Sequence, residues 1–177
     1  LIFDEIQTCY GRLGSLFGFQ YYNVVPDILC IAKGMGGGMP IGAFISSFEL
    51  MNLLTFNPPL GHISTFGGHP VNCAASYAVL NYLLTSDIML KVKEKEEIFR
   101  ENLIHPKIIE VRGIGLMLSV ELGDEVLTKK VVEESLENNL LLFYFLFNKT
   151  SFRITPPLTI SKKEIVRGCE IIKSILS

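Results

Sequence analysis

No C-x-x-C pair occurs among the four cysteines of this sequence; Cys9, Cys30, Cys73 and Cys169 stand far apart. The three histidines, His62, His69 and His105, show no metal-ligand spacing. Neither a disulfide framework nor a metal centre is therefore expected, and scattered thiols fit a reducing cytoplasm. Positive charge is not in excess either. Sixteen Lys and Arg face eighteen Asp and Glu, for a net charge of −2, and no basic stripe is interleaved with aromatics. A nucleic-acid partner is thereby disfavoured. The longest apolar run, LLLFYFLF at 140–147, is far too short to cross a bilayer, so no membrane partner is expected. No secretory leader can be made out.

What is present is apolar substance. The chain has 177 residues, 49% of them hydrophobic, enough for one sizeable core or two small ones. It opens on LIF, which reads as the middle of a buried strand, and a fragment lacking its N-terminal part is the expectation. Apolar runs bounded by Gly, Pro or Asp predict strands near 1–4, 28–32 and 42–46. Small residues beside Val79, Leu80, Leu83 and Leu84 predict a closely packed, buried helix over about 70–85. Ser86 or Asp87 is the expected cap of a following amphipathic helix.

Beyond residue 86 the pattern turns α+β. KIIEVRG and GLMLSVEL read as a hairpin joined at Gly113–Gly115. A helix is expected over 125–138, a fully buried strand over 140–146 and a short strand over 151–154. Ser161 and Glu164 form an S-x-x-E capping box for the last helix. A domain boundary is placed near residue 86.

Two strand ends carry chemistry. LIFDEIQTCYGRLG leaves Asp4 at the end of one apolar run, and DILCIAKGMGGGMPIGA leaves Lys33 just past another. A Walker-type phosphate loop needs its lysine after the glycines, but Lys33 precedes them. The dinucleotide pattern fails as well, because Met39 stands where the third glycine belongs. Alone, Lys33 reads as a solvated lysine closing a strand and Asp4 as a turn residue. Together they read as one site with two opposite charges at the carboxyl ends of sheet strands, where α/β sheets hold ligands. A desolvated lysine is a nucleophile toward carbonyls, and a fixed carboxylate can keep a heterocyclic nitrogen protonated. Those are the needs of pyridoxal phosphate.

DEIQTCYGRLG, PDILCIAKGMGGGMPIGA and HISTFGGHPVNCAA, in that order, resemble the class III (ω-type) pyridoxal-phosphate aminotransferases. VRGIGLML and FRITPPLTIS resemble the same family's small domain. The likeness implies an α/β, fold-type I architecture, with residues 1–86 as part of the large, mostly parallel sheet domain. Residues 87–177 would be the small C-terminal α/β domain, and the enzyme a homodimer. It implies transfer of an amino group from an ω-amino donor such as N-acetylornithine or ornithine to 2-oxoglutarate, a 2-oxo acid acceptor. Lys33 would form the Schiff base with pyridoxal 5′-phosphate, Asp4 would hold the pyridinium proton, and Gln7 would bond the phenolic oxygen. Thr65 would bind the phosphate of the neighbouring subunit's cofactor, and Arg153 the substrate carboxylate. Arg112 is expected to be structural or to neighbour a substrate channel. The sequence departs from the family's usual residues at Cys9, Leu13, Ile63 and His69. The absent N-terminal half implies that the fragment alone is inactive. An aminomutase or decarboxylase on the same scaffold, or a non-catalytic remnant, is the alternative.

Overall fold

The computed structural model describes all residues, 1–177, and the chain divides into two compact units, Leu1–Met89 and Leu90–Ser177. No helix is long and apolar enough to cross a membrane.

The first unit is built on a three-stranded sheet in the order β1-β2-β3, with β1 at Ile2–Asp4, β2 at Ile28–Ile31 and β3 at Ala43–Ser46. The apolar, β-branched residues of each run favour these strands. β1 and β2 are parallel, with Ile2 opposite Ile28 and Asp4 opposite Cys30, while β3 runs antiparallel to β2. Two five-residue helices follow in the connections, α1 (Gly18–Tyr22) and α2 (Phe48–Asn52), and then the long α3 (Pro70–Thr85).

α3 forms where small and apolar residues predict it, with Pro70 in its first turn and His69 Nδ1 accepting the Val71 amide. It is not buried as expected. Only Ser76 and Leu83 are enclosed, while Val71, Tyr77, Tyr82 and Leu84 are exposed. Apolar residues lie on every face of this helix, and the remainder of Leu1–Met89 can cover only one of them. Phe44 and Ile45 on β3 are exposed as well.

The second unit is an antiparallel sheet with helices packed on one face. Its strand order is β4-β5-β7-β6: β4 (Glu110–Ile114), β5 (Met117–Glu121), β6 (Phe143–Tyr144) and β7 (Ser151–Ile154). Leu118, Val120, Phe152 and Ile154 alternate toward the core, where helices α4 (Val92–Asn102), α5 (Glu125–Glu137) and α6 (Lys162–Leu176) present their apolar stripes. Val92 and Phe99 from α4, Val131 and Val132 from α5, and Ile165, Cys169, Ile172 and Leu176 from α6 fill it. α6 starts with the reciprocal bonds that S-x-x-E predicts: Ser161 Oγ accepts the Glu164 amide, and the Glu164 carboxylate accepts the Ser161 amide.

Three local expectations need correction. α4 begins at Val92 without a side-chain cap, because Ser86 instead ends α3, its amide bonded to the Tyr82 carbonyl. The buried strand expected over 140–146 shrinks to Phe143–Tyr144, both exposed; β6 lies at the sheet edge, and of that run Leu142 is buried in the core with Leu140 packed against it. Gly113 is not in the turn but in β4 at φ 121, where a Cβ would stand 2.2 Å from the Met117 carbonyl oxygen. The turn is held by α4: Glu96 accepts the Gly115 amide, and Arg100 donates to the carbonyls of Val111 and Gly113.

Candidate functional site

β1 and β2 run in the same direction, so their carboxyl ends share one edge of the sheet. Asp4 is the last residue of β1, paired with Cys30, and Lys33 stands three positions beyond Cys30, opening a short 3-10 turn over Lys33–Gly36. Both side chains are exposed at this edge. Asp4 is fixed by a local turn in which its Oδ1 accepts the Ile6 amide at 3.0 Å. Lys33 takes a left-handed backbone, φ 47, which a residue with a Cβ adopts only at a cost. A strained residue held by its surroundings at the mouth of a sheet marks a position worth testing for function.

The surroundings that hold Lys33 come from the loop after β1. Cys9 is buried, with its Sγ 4.0 Å from the Ala32 carbonyl oxygen, and Tyr10 lies against Gly34. Burial pushes the Cys9 thiol up to about 11. Cys9 therefore acts as packing behind the backbone that carries Lys33. On the far side, Gly37, at φ 58, meets α3; a Cβ there would stand 2.5 Å from Val79 Cγ2. That glycine serves helix packing. Gly38, by contrast, faces open space.

Glu5 was not singled out by the sequence, yet it organises the loop. Its carboxylate is buried and accepts the amides of Gly18 and Phe19 at the start of α1, and its own amide continues the β1–β2 ladder onto the Cys30 carbonyl. In the structure α1 begins after Phe17, which has no side-chain oxygen to cap it, a boundary that no pattern in the sequence marked. An acid from elsewhere had to serve.

The remaining candidates lie apart. Gln7 is exposed in the turn that follows Asp4, and Thr65 is exposed in the turn 65–68 that precedes α3. Arg153 belongs to the other unit: it sits in β7, half-buried, with its guanidinium 4.9 Å from the Phe143 ring centroid. Arg112 is tied to Glu121, Glu110 and Ser151, a structural role. Burial opposes ionisation of Glu121, but bonds from Ser151, Thr150, the Gly123 amide and Arg112 outweigh it and bring its pKa down to about 2. The structure thus brings Asp4 and Lys33 to one edge, leaves Gln7 exposed in the turn three residues beyond Asp4, and leaves Thr65 and Arg153 on separate elements.

A parallel strand pair with an acid and a lysine at its carboxyl edge, in a chain that continues into a small α/β unit, has the build of the fold-type I pyridoxal-phosphate-dependent transferases. Solved structures agree. An ornithine aminotransferase from Toxoplasma gondii matches with a TM-score of 0.87 at 34% identity, covering 99% of this chain and 43% of that one. A Bacillus anthracis aminotransferase matches with a TM-score of 0.89 at 27% identity, covering 99% and 44%. The family model of the class-III aminotransferases matches residues 1–176, and the chain belongs to that family. Among curated relatives, it is 40% identical over 181 residues to the acetylornithine aminotransferase of Caldanaerobacter subterraneus, covering 99% of this chain and 44% of the relative. It is 39% identical over 183 residues to the putrescine aminotransferase of Pectobacterium atrosepticum, covering 99% and 39%. The chain therefore spans about two fifths of the length of these relatives.

Proposed function

We propose that this chain carries the lysine and acid of a pyridoxal-phosphate-dependent aminotransferase. The whole protein would pass an amino group from an ω-amino donor, such as N-acetylornithine or ornithine, to 2-oxoglutarate. The observation that carries this reading is the shared edge of Asp4 and Lys33 on the parallel pair β1–β2. Their donor set, one carboxylate and one primary amine, fits a pyridine aldehyde. The named relatives' compounds, acetylornithine, ornithine and putrescine, support a donor with a terminal primary amine.

When bound, the cofactor supplies an aldehyde and an electron-withdrawing pyridinium ring. Lys33 Nζ anchors it and afterwards moves a proton to and from the substrate carbon, as a positioned amine can. Asp4 holds the proton on the ring nitrogen. Gln7 donates to the phenolic oxygen. Thr65 binds the phosphate across a homodimer interface, and Arg153 takes the substrate carboxylate with its planar fork. Residues 1–86 would be the C-terminal part of the large domain and residues 87–177 the small one, in a protein of the reducing cytoplasm.

The test is to load the protein with pyridoxal phosphate, reduce with borohydride and map the modified residue. Lys33 is the expected site, with glutamate formed from 2-oxoglutarate and the amine before reduction. Modification of another lysine, or of none, removes the assignment.

A further inference from the structure

Directly opposed residues on neighbouring antiparallel strands project to the same side of a sheet. Arg112 is opposite Ser119, Ser119 is opposite Arg153, and Arg153 is opposite Phe143. These four residues form one row across the second unit's sheet. Leu118, Val120, Phe152 and Ile154, which alternate with them, belong to the core side.

The two guanidinium groups in the row differ. Arg112 is compensated: its Nη2 reaches Glu121 Oε2 at 3.0 Å and Ser151 Oγ at 3.1 Å, and its Nη1 lies 3.5 Å from Glu110. Arg153 rests on the Phe143 ring, has no ion pair, and its buried Nε has no hydrogen-bond partner. The Ser119 hydroxyl next to it is also buried without a partner, in a residue only 8% exposed.

Buried polar groups are normally hydrogen-bonded, so two orphans side by side mark a place short of an acceptor. A guanidinium Nε–H and a hydroxyl can both donate to one carboxylate. The uncompensated charge of Arg153 selects an anion over a neutral acceptor. We propose that Ser119 is a second donor to the substrate carboxylate bound by Arg153. The adjacent strands β5 and β7 thereby form a two-point clamp that favours carboxylate-bearing substrates over plain amines. This inference rests on the reading of Arg153 given above and adds Ser119 to it as a specificity-determining residue.

Glutarate, a dicarboxylate without an amine, is the probe. Titrated into the isotope-labelled protein, it is expected to shift the Arg153 Nε–H and Ser119 amide signals saturably, while neutral glutaramide shifts neither. Ser119→Ala removes an unpartnered hydroxyl, so its melting temperature stays at or above that of the parent. Its glutarate affinity falls by about 10-fold, the scale of a hydrogen bond to an ion. A glutarate titration that leaves both signals in place, equal affinity in S119A, or a marked drop in its melting temperature overturns the clamp. The two readings separate cleanly. Glutarate binding without borohydride labelling of Lys33 keeps the clamp and removes the catalytic assignment; labelling without a glutarate response does the reverse.

Discussion

The carboxylate of Glu5 accepts the backbone amide of Gly18, thirteen residues further along the chain. A second bond from Phe19, at 2.6 Å, completes the grip. The loop between them carries Gln7, Cys9 and Tyr10, the last two packed behind the segment that holds Lys33. One buried acid therefore ties the exit of β1, the start of α1 and the backing of Lys33 together.

Glu5→Gln keeps the shape but turns one acceptor into a donor aimed at an amide. The loss expected is about 1.5–3 kcal/mol, the range for hydrogen bonds to charged groups. Hydrogen exchange at the Gly18 and Phe19 amides reads it locally, and each 1.4 kcal/mol corresponds to about 10-fold faster exchange. Unchanged protection of both amides would show that the carboxylate is not their partner.

Asp4→Asn keeps the turn bond to Ile6 while removing the negative charge. On the proposed mechanism, cofactor still attaches at Lys33, but glutamate formation slows by about 10²–10³-fold, the range for removing one preorganised electrostatic contact. Equal rates in parent and variant would take Asp4 out of the chemistry.

The four thiols should separate by accessibility. Cys73 is exposed, Cys30 half-buried, and Cys9 and Cys169 buried. Burial also lifts the Cys9 and Cys169 thiols to about 11 and about 12, leaving few thiolates at pH 8. With a thiol-reactive disulfide reagent at that pH, Cys73 reacts first and Cys30 more slowly. Cys9 and Cys169 wait for denaturant. Early modification of Cys9, mapped by mass spectrometry, contradicts its placement behind Ala32.

The acid side of the stability curve should report Glu121. Its folded pKa, about 2, lies below the value of 4.5 for a free glutamate, so the folded form binds its proton later than the unfolded form. The stabilisation is complete above about pH 4.5 and is lost as pH falls toward 2. Urea melts of the parent should weaken across that window, and those of Glu121→Gln should change less. Parallel pH profiles would show that Glu121 gains nothing from Arg112 and Ser151 on folding.

Much of this was legible from the chain alone because it is local. Alternating or apolar runs placed β1, β2, β3, β5 and β7; S-x-x-E placed the start of α6; and the ordered motifs around Asp4, Lys33 and Thr65 carried the family. What residues 1–177 could not declare was who stands beside whom. The same helix 70–85 reads as buried from its composition and is largely exposed, because cover depends on what other elements surround it. Glu5 reads as one acid beside another until α1, lacking a cap of its own, folds back to it. Ser119 and Arg153, separated by 34 positions, meet only because β7 inserts between β5 and β6. Sequence periodicity reports contacts within a turn or along a strand; the order of strands in a sheet is settled by packing energy summed over the whole unit, and that order set the orphaned Ser119 hydroxyl beside a guanidinium that rests on Phe143 without an ion pair.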